Sequence, residues 1–280
     1  MVFNRIINLK KGLVLFIFLL NAFPEIEAMN YENDVNNNID FEYIITRKME
    51  CCFGNFMFIS DTLIRLSDKE KSEGWELLFD GKNTEKWRGV NSDSFPSNGW
   101  TIEQGALVLS GKNGGDIITK EKFSNFELVL DFKLTHSANS GIKYFVVNMK
   151  NKENGKIFKN GPEYQIIDDY NHPEVKNHQH EKGSTAALYL IYAPQNKILL
   201  PEGEWNQAKI IAKGKHVEHW LNGTKVLSYE RGSKDFRQRV SNTKFKDQKG
   251  YGEVSSGHIL LTDHHDKVYF KNIRIKRLKR

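Results

Sequence analysis

From Gly99 to the C-terminus, apolar and polar residues alternate in short runs separated by glycine and asparagine turns, without a sustained period of 3.6 residues. The run Phe126–Leu134 is the clearest. Phe126, Leu128, Leu130, Phe132 and Leu134 fall on one face, while Glu127, Asp131 and Lys133 fall on the other. A period of two predicts a strand with one buried side. Runs over residues 99–110, 116–135, 139–147, 163–169, 184–194, 204–230 and 257–278 read in the same way, and Asn222-Gly223 has the chemistry of a tight hairpin turn. Upstream, Trp75–Phe79 reads as a strand, Asp80-Gly81 as a turn, and a second aromatic segment ends in Trp87-Arg88-Gly89. Ser67 followed by Glu70 forms a capping-box pattern, which predicts a short helix that stops at Gly74. With long helical periods missing, the pattern predicts one all-β domain over residues 67–280, a jelly-roll sandwich of two antiparallel sheets with a short N-terminal helix.

Composition adds 18 Phe, 10 Tyr and 5 Trp, enough for a large aromatic core, with only 6 Pro to interrupt it. The formal charge of +6 resembles that of a nucleic-acid binder until it is located. Residues 271–280 carry Lys271, Arg274, Lys276, Arg277, Lys279 and Arg280 and no acid, so the rest of the chain is close to neutral. A basic terminus without a basic stripe over the fold argues against a nucleic-acid partner.

At the N-terminus, Arg5, Lys10 and Lys11 precede the apolar run 12–20, and Ala28 follows a short polar stretch. This is the order of a secretory signal peptide over residues 1–28. The run is too short for a stable membrane span, so the expected location is outside the cytoplasm. Residues 29–66 read as a polar arm or linker. Cys51 and Cys52 are adjacent and lie outside the domain, so they cannot staple it. No cofactor is named by any spacing, and a divalent metal stays open.

The stretch with the most chemistry is Gly161–Asp169, GPEYQIIDD. Gly161-Pro162 is turn chemistry, and the residues after it have strand character. Glu163 and Gln165 share a face with Ile167, whereas Tyr164, Ile166 and Asp168 take the other. The two acids therefore converge only across a bulge. A surface strand with solvated acids is the plain alternative.

Five blocks occur in order: GWELLFDGKNTEKWRG, NSGIKYFV, GPEYQIIDD with a following His-Pro, EWNQAKIIAKGKHVEHWLNG and GHILLTDHHDKVYFKNIRIK. Over about residues 67–278 the chain resembles the 3-keto-disaccharide hydrolase family. The resemblance implies a concanavalin A-like jelly roll, bacterial export, and cleavage of glycosides oxidised at C3 of the sugar, by hydrolysis or by 1,2-elimination. The chain departs from the family pattern at Thr262, His265 and Lys271, and in the block Lys176–Thr185.

A ketone at C3 acidifies the proton on C2, so such chemistry needs a base, a group that stabilises the enolate oxygen and an acid for the departing oxygen. The candidates are Glu163 as base, Asp168 or His264 as acid, and Lys143 or Asn139 near the carbonyl, with Gln165 and Trp220 on the carbohydrate substrate. His264 sits in the polar tip Asp263–Asp266, where solvation is the plain reading. Trp220 is as suited to burial against a sheet as to stacking on a sugar. His219 alternates with Val217 and Leu221 and reads as a core histidine. Two other functions fit the same fold. A two-carboxylate glycosidase of the Glu-x-Asp-x-x-Glu type would lack its middle acid here, because the matching positions are Glu163, Gln165 and Asp168. A lectin-like binding module would show an open aromatic groove in place of converging acids.

Overall fold

In the computed structural model, which describes residues 63–279, the chain starts with the capped helix that the sequence predicts. The Ser67 hydroxyl accepts from the Glu70 N–H, and the Glu70 carboxylate accepts from the Ser67 N–H, closing the box at the start of α1 (Asp68–Ser72). Helix α1 buries no side chain, so its cap and the positive φ of Gly74 set its two ends. The proposed signal peptide, most of the polar arm, Cys51 and Cys52 lie outside the described residues.

The rest is the expected antiparallel sandwich. Fourteen strands follow: β1 (Trp75–Leu77), β2 (Trp87–Gly89), β3 (Trp100–Glu103), β4 (Ala106–Ser110), β5 (Ile117–Thr119), β6 (Phe126–Leu134), β7 (Asn139–Lys150), β8 (Ile157–Asn160), β9 (Glu163–Ile167), β10 (Trp205–Lys213), β11 (His216–Leu221), β12 (Thr224–Glu230), β13 (His258–Leu261) and β14 (Lys267–Arg277). One sheet has the order β12-β11-β10-β6-β14-β4-β3, with β1 also paired to β14. The other has the order β2-β5-β13-β7-β8, with β9 also paired to β7. Every pairing between strands is antiparallel. The five alternating apolar residues of β6, Phe126, Leu128, Leu130, Phe132 and Leu134, are all buried, so the alternation read from the sequence is the observed pleat. They meet Ile142, Tyr144, Tyr164, Ile166 and Leu261 of the second sheet in one apolar core. This is the concanavalin A-like jelly roll. No helix among the described residues is long and apolar enough to cross a membrane.

Two features are not visible in the pattern. Ser233 caps a second helix, α2 (Lys234–Ser241), which buries only Phe236 and Val240. Two apolar residues one turn apart are too few to mark a helical period. Strand β7 carries a bulge: Leu260 pairs with Lys143 but His258 pairs with Val146, so β7 spends one extra residue. Phe145 adopts φ +52, and both Tyr144 and Phe145 turn into the core. Gly161 and Gly257 press on this point, where a Cβ would come within 2.4 Å of the Tyr144 carbonyl oxygen and 2.2 Å of the Phe145 carbonyl carbon, respectively. Only glycine fits such close backbone approaches.

A polar chain crosses the core. His219 of β11 is fully buried, and its Nδ1 lies 3.0 Å from the Ala186 carbonyl, a pure acceptor, so Nδ1 carries the proton. Nε2 therefore accepts from the Tyr144 hydroxyl at 2.7 Å, which in turn accepts from the Tyr229 hydroxyl at 2.8 Å. Burial holds the imidazole pKa down at about 4. The unfolded chain takes up a proton between the ordinary value near 6.5 and pH 4 that the fold refuses, so stability falls as pH drops through that window. The full contribution is on the order of 3 kcal/mol at one pKa unit per 1.36 kcal/mol. His219→Gln should lower stability at pH 7.5 but lose less than the parent between pH 7 and pH 4.5, as read from urea midpoints at each pH. Parallel losses in the two proteins would show that His219 is not the titrating group.

Candidate active site

The strand β9 is built into the sheet on both edges. On one side Lys143 pairs with Glu163, Gly141 with Gln165 and Asn139 with Ile167. On the other, Tyr189 N–H donates to the Glu163 carbonyl, Ala186 and Ala187 exchange backbone hydrogen bonds with Gln165, and Tyr164 bridges to Leu188. Tyr164, Ile166, Ile142 and Leu188 point into the core, so their neighbours take the outer face. The pairings then line up one row across that face: Arg88, Ile118, Leu260, Lys143, Glu163 and Tyr189. Ile118 and Leu260, with Val146, form a small apolar cluster beside Lys143.

Within this row the Glu163 side chain is 7 % exposed, and its Oε2 lies 4.0 Å from the Lys143 ammonium. Its Oε1 is buried and meets no protein donor among the described residues. A Cβ on Gly141 would stand 2.3 Å from Oε1, so the carboxylate lies directly over the Gly141 backbone. A buried acceptor without a donor costs roughly 1–3 kcal/mol, which a ligand hydroxyl would recover. Gln165 is buried beside it and reaches Asn139 Oδ1 at 3.5 Å, the outer limit of a hydrogen bond.

Tyr189 flanks Glu163 on the side away from Lys143. Its phenol is half-buried, and burial, then the charges of Glu174 and Glu163, push its pKa up. The Lys244 ammonium stands 4.8 Å from the centre of the Tyr189 ring. Tyr189 also lines a cavity of about 570 Å³, together with Glu174, Val175, His180, Lys182 and Leu190. The block Lys176–Thr185, which departs from the family pattern, thus contributes to one wall.

The structure brings Glu163, Lys143, Gln165 and Asn139 together on one face, sets Asp168 and Trp220 apart, and leaves His264 on the loop whose Asp266 accepts from Asn139 N–H. Asp168 follows β9, about 17 Å along the chain from Glu163 at strand spacing. Its Oδ1 accepts from the N–H groups of Tyr170 and Asn171, and its Oδ2 accepts from Ser137 N–H and the Asn171 amide. Four donors on a buried carboxylate make it the organiser of a turn. Asp168, His136 and Glu202 bring three ligand-type atoms within 4.8 Å of one another, but Asp168 is engaged by those donors and His136 by Glu202 at 2.8 Å. His264 is exposed after β13, in a turn shaped by the buried Asp263 side chain, which accepts from Gly115 N–H and His265 N–H. Trp220 lies on the outer face of the other sheet, since His219 and Leu221 beside it point inward. There its indole donates to Glu218, and Lys209 covers its ring at 4.3 Å.

Tyr189 and Lys244 were not legible in the sequence. Within STAALYLIYAP, Tyr189 reads as one more apolar strand residue. The segment is in fact irregular, with positive φ at Ala186 and Leu190, and it leaves the phenol half-buried beside Glu163.

The class these observations define is a jelly-roll sandwich with a buried carboxylate, an ammonium and a phenol aligned on the outer face of one sheet. The chain belongs to the 3-keto-alpha-glucoside-1,2-lyase-like domain family, whose model matches residues 74–276. It is 36% identical over 231 residues to a 3-keto-disaccharide hydrolase of Bacteroides thetaiotaomicron, covering 73% of this chain and 79% of that protein. It is also similar to a crystal structure from Parabacteroides distasonis ATCC 8503, provisionally named a glycosyl hydrolase, with 37% identity, a TM-score of 0.68, and coverage of 77% of this chain and 99% of the other. A second structure from that organism, provisionally named in the same way, is 29% identical with a TM-score of 0.54, covering 73% and 99%. The expected family and fold are both met.

Placing a methyl group on Gly141 tests the position of the carboxylate. Gly141→Ala should destabilise the protein by about 1–3 kcal/mol through overpacking against Glu163. The cost should largely vanish in a Glu163→Ala background, because the atom it collides with is gone. Equal costs in both backgrounds, measured by urea unfolding, would place the carboxylate elsewhere.

Proposed function

We propose that the protein cleaves 3-keto-glycosides, with Glu163 as the base that takes the proton from C2 and Lys143 beside the developing enolate oxygen. The observation that carries this reading is the Glu163 carboxylate, buried over Gly141 with one oxygen lacking a protein donor and the other 4.0 Å from Lys143. Membership of the 3-keto-alpha-glucoside-1,2-lyase-like family and the likeness to a 3-keto-disaccharide hydrolase support the same chemistry. Removal of the C2 proton leaves an electron pair that forms the C1=C2 bond and expels the C1 oxygen, and water added at C1 afterwards makes the net reaction a hydrolysis. A cation near the C3 oxygen stabilises the charge that develops in the transition state. Gln165 and Asn139, on the same face, present amide groups to the sugar hydroxyls. The two-carboxylate alternative is disfavoured by Asp168, whose two oxygens are both held by N–H donors of Ser137, Tyr170 and Asn171 and so are not presented to a sugar.

Glu163→Gln should lower turnover of a 3-keto-disaccharide by about 10²-fold or more with a matched melting temperature, since the amide keeps the volume but cannot accept the proton. Products are read by mass spectrometry with the 3-keto substrate and its unoxidised parent side by side. Binding of both sugars with cleavage of neither would favour the lectin-like reading.

The order of charge, apolar run and small residue over positions 1–28 further supports export. N-terminal sequencing of material recovered outside the cytoplasm should then begin near Met29, and recovery of Met1 would overturn the proposal.

A further inference from the structure

Glu163 as base and Lys143 beside the enolate oxygen leave the departing oxygen without a proton donor. Asp168 has both its oxygens occupied by four N–H donors, and His264 is exposed beyond the end of β13. On the side of Glu163 away from Lys143 the row across the sheet has a further polar member. Tyr189 is joined to Glu163 by a backbone hydrogen bond of 3.0 Å, and its half-buried phenol lies close enough to feel the Glu163 charge. It lines the cavity of about 570 Å³.

We infer that Tyr189 is the acid of the reaction, donating its phenolic proton to the glycosidic oxygen as the leaving group moves into the cavity bounded by Val175, Lys182 and Leu190. This rests on the proposed cleavage of 3-keto-glycosides. The bookkeeping closes within the site. The C2–H bond breaks and its proton goes to Glu163; C1=C2 forms; the C1–O bond breaks and the departing oxygen takes the proton of Tyr189. A proton returned from the Glu163 carboxyl to the Tyr189 phenolate, directly or through water, restores both groups.

The electrostatics favour this order of events. Burial and the negative charges of Glu174 and Glu163 hold the proton on the phenol in the resting site. When Glu163 accepts the C2 proton its charge is cancelled, one of the causes that raise the phenol's pKa disappears, and the phenol becomes a stronger acid when the C1 oxygen needs a proton. Lys244, over the ring face at 4.8 Å, stabilises the phenolate that results. The apolar wall of Val175 and Leu190 suits the carbon face of the departing group, while Lys182 and Glu174 offer polar partners at its rim.

The test compares leaving groups. Methyl 3-keto-glucoside releases a poorly acidic alcohol that needs a proton, whereas 4-nitrophenyl 3-keto-glucoside releases a phenolate that does not. Tyr189→Phe should lower kcat on the methyl glycoside by about 10²-fold or more, the usual contribution of a positioned acid, and the loss should shrink below tenfold on the nitrophenyl glycoside. Lys244→Met should cause a smaller loss with the same leaving-group dependence. The phenol has no hydrogen-bond partner among the described residues, so the melting temperature of Tyr189→Phe should match the parent, and an equal loss on both substrates with a lowered melting temperature would make the residue structural and overturn the inference. Retention of methyl glycoside turnover by Tyr189→Phe would overturn it alone, leaving Glu163 as base intact. A parent protein that cleaves neither 3-keto-glucoside would overturn the proposed function and this assignment with it.

Discussion

The hydrogen bond from His219 to the Ala186 carbonyl is the contact on which the site's position depends. It crosses from the larger sheet to the segment flanking β9, and Ala186 in turn donates to the Gln165 carbonyl. Two hydrogen bonds therefore separate a core imidazole from the strand that carries Glu163. In an apolar interior such a thread has one satisfied arrangement, because each partner left alone would be a desolvated polar group. Tyr164 adds a second link, its ring 4.8 Å from the imidazole centre and its hydroxyl donating to the Trp220 carbonyl 3.1 Å away. The fold thus fixes β9 from below, through the core, while its outer face stays available for chemistry.

The bulge in β7 works toward the same end from the neighbouring strand. Regular alternation would send Phe145 outward and Val146 inward. The extra residue reverses both, so two aromatic rings enter the core next to the His219 thread and Val146 joins the apolar cluster beside Lys143. Lys143 precedes the bulge and keeps its register with Glu163. A left-handed Phe145 is costly, and persists because Gly161 and Gly257 admit the backbone on either side. The strain lies within a few residues of the carboxylate, where a rigid base needs a strand that cannot slide.

How far the sequence discloses this arrangement depends on whether a property is periodic. The alternation in Phe126–Leu134 and the face shared by Glu163 and Gln165 follow from the period of the strand, and both hold in the structure. The Ser67–Glu70 cap is local chemistry and is equally legible. The bulge at Phe145, the irregular turn of Ala186 and the placement of Tyr189 beside Glu163 are set by contacts across many residues, with glycines at 161 and 257 as their trace in the sequence. The three candidates that lie off the row of Lys143 and Glu163 share one cause. Asp168, His264 and Trp220 have suitable side chains, but a strand end, a hairpin tip and the opposite sheet are positions that side-chain type does not report.

The charge balance of the site favours function over stability. At 4.0 Å, Lys143 and Glu163 attract by about 4 kcal/mol at an effective dielectric constant near 20, while removing either ion from water costs several kcal/mol. The pair is thus close to neutral in its effect on folding, and the unpartnered Oε1 adds a cost. Contrast Asp169, whose carboxylate meets the buried Lys197 ammonium and Thr185 N–H, with Lys197 also donating to the Thr185 carbonyl. There every charge has a partner and the group ties the segment ending β9 to the one beside it. Glu163 is held less completely, and a carboxylate left with an unused acceptor beside a cation and a phenol has its remaining interactions to offer a substrate.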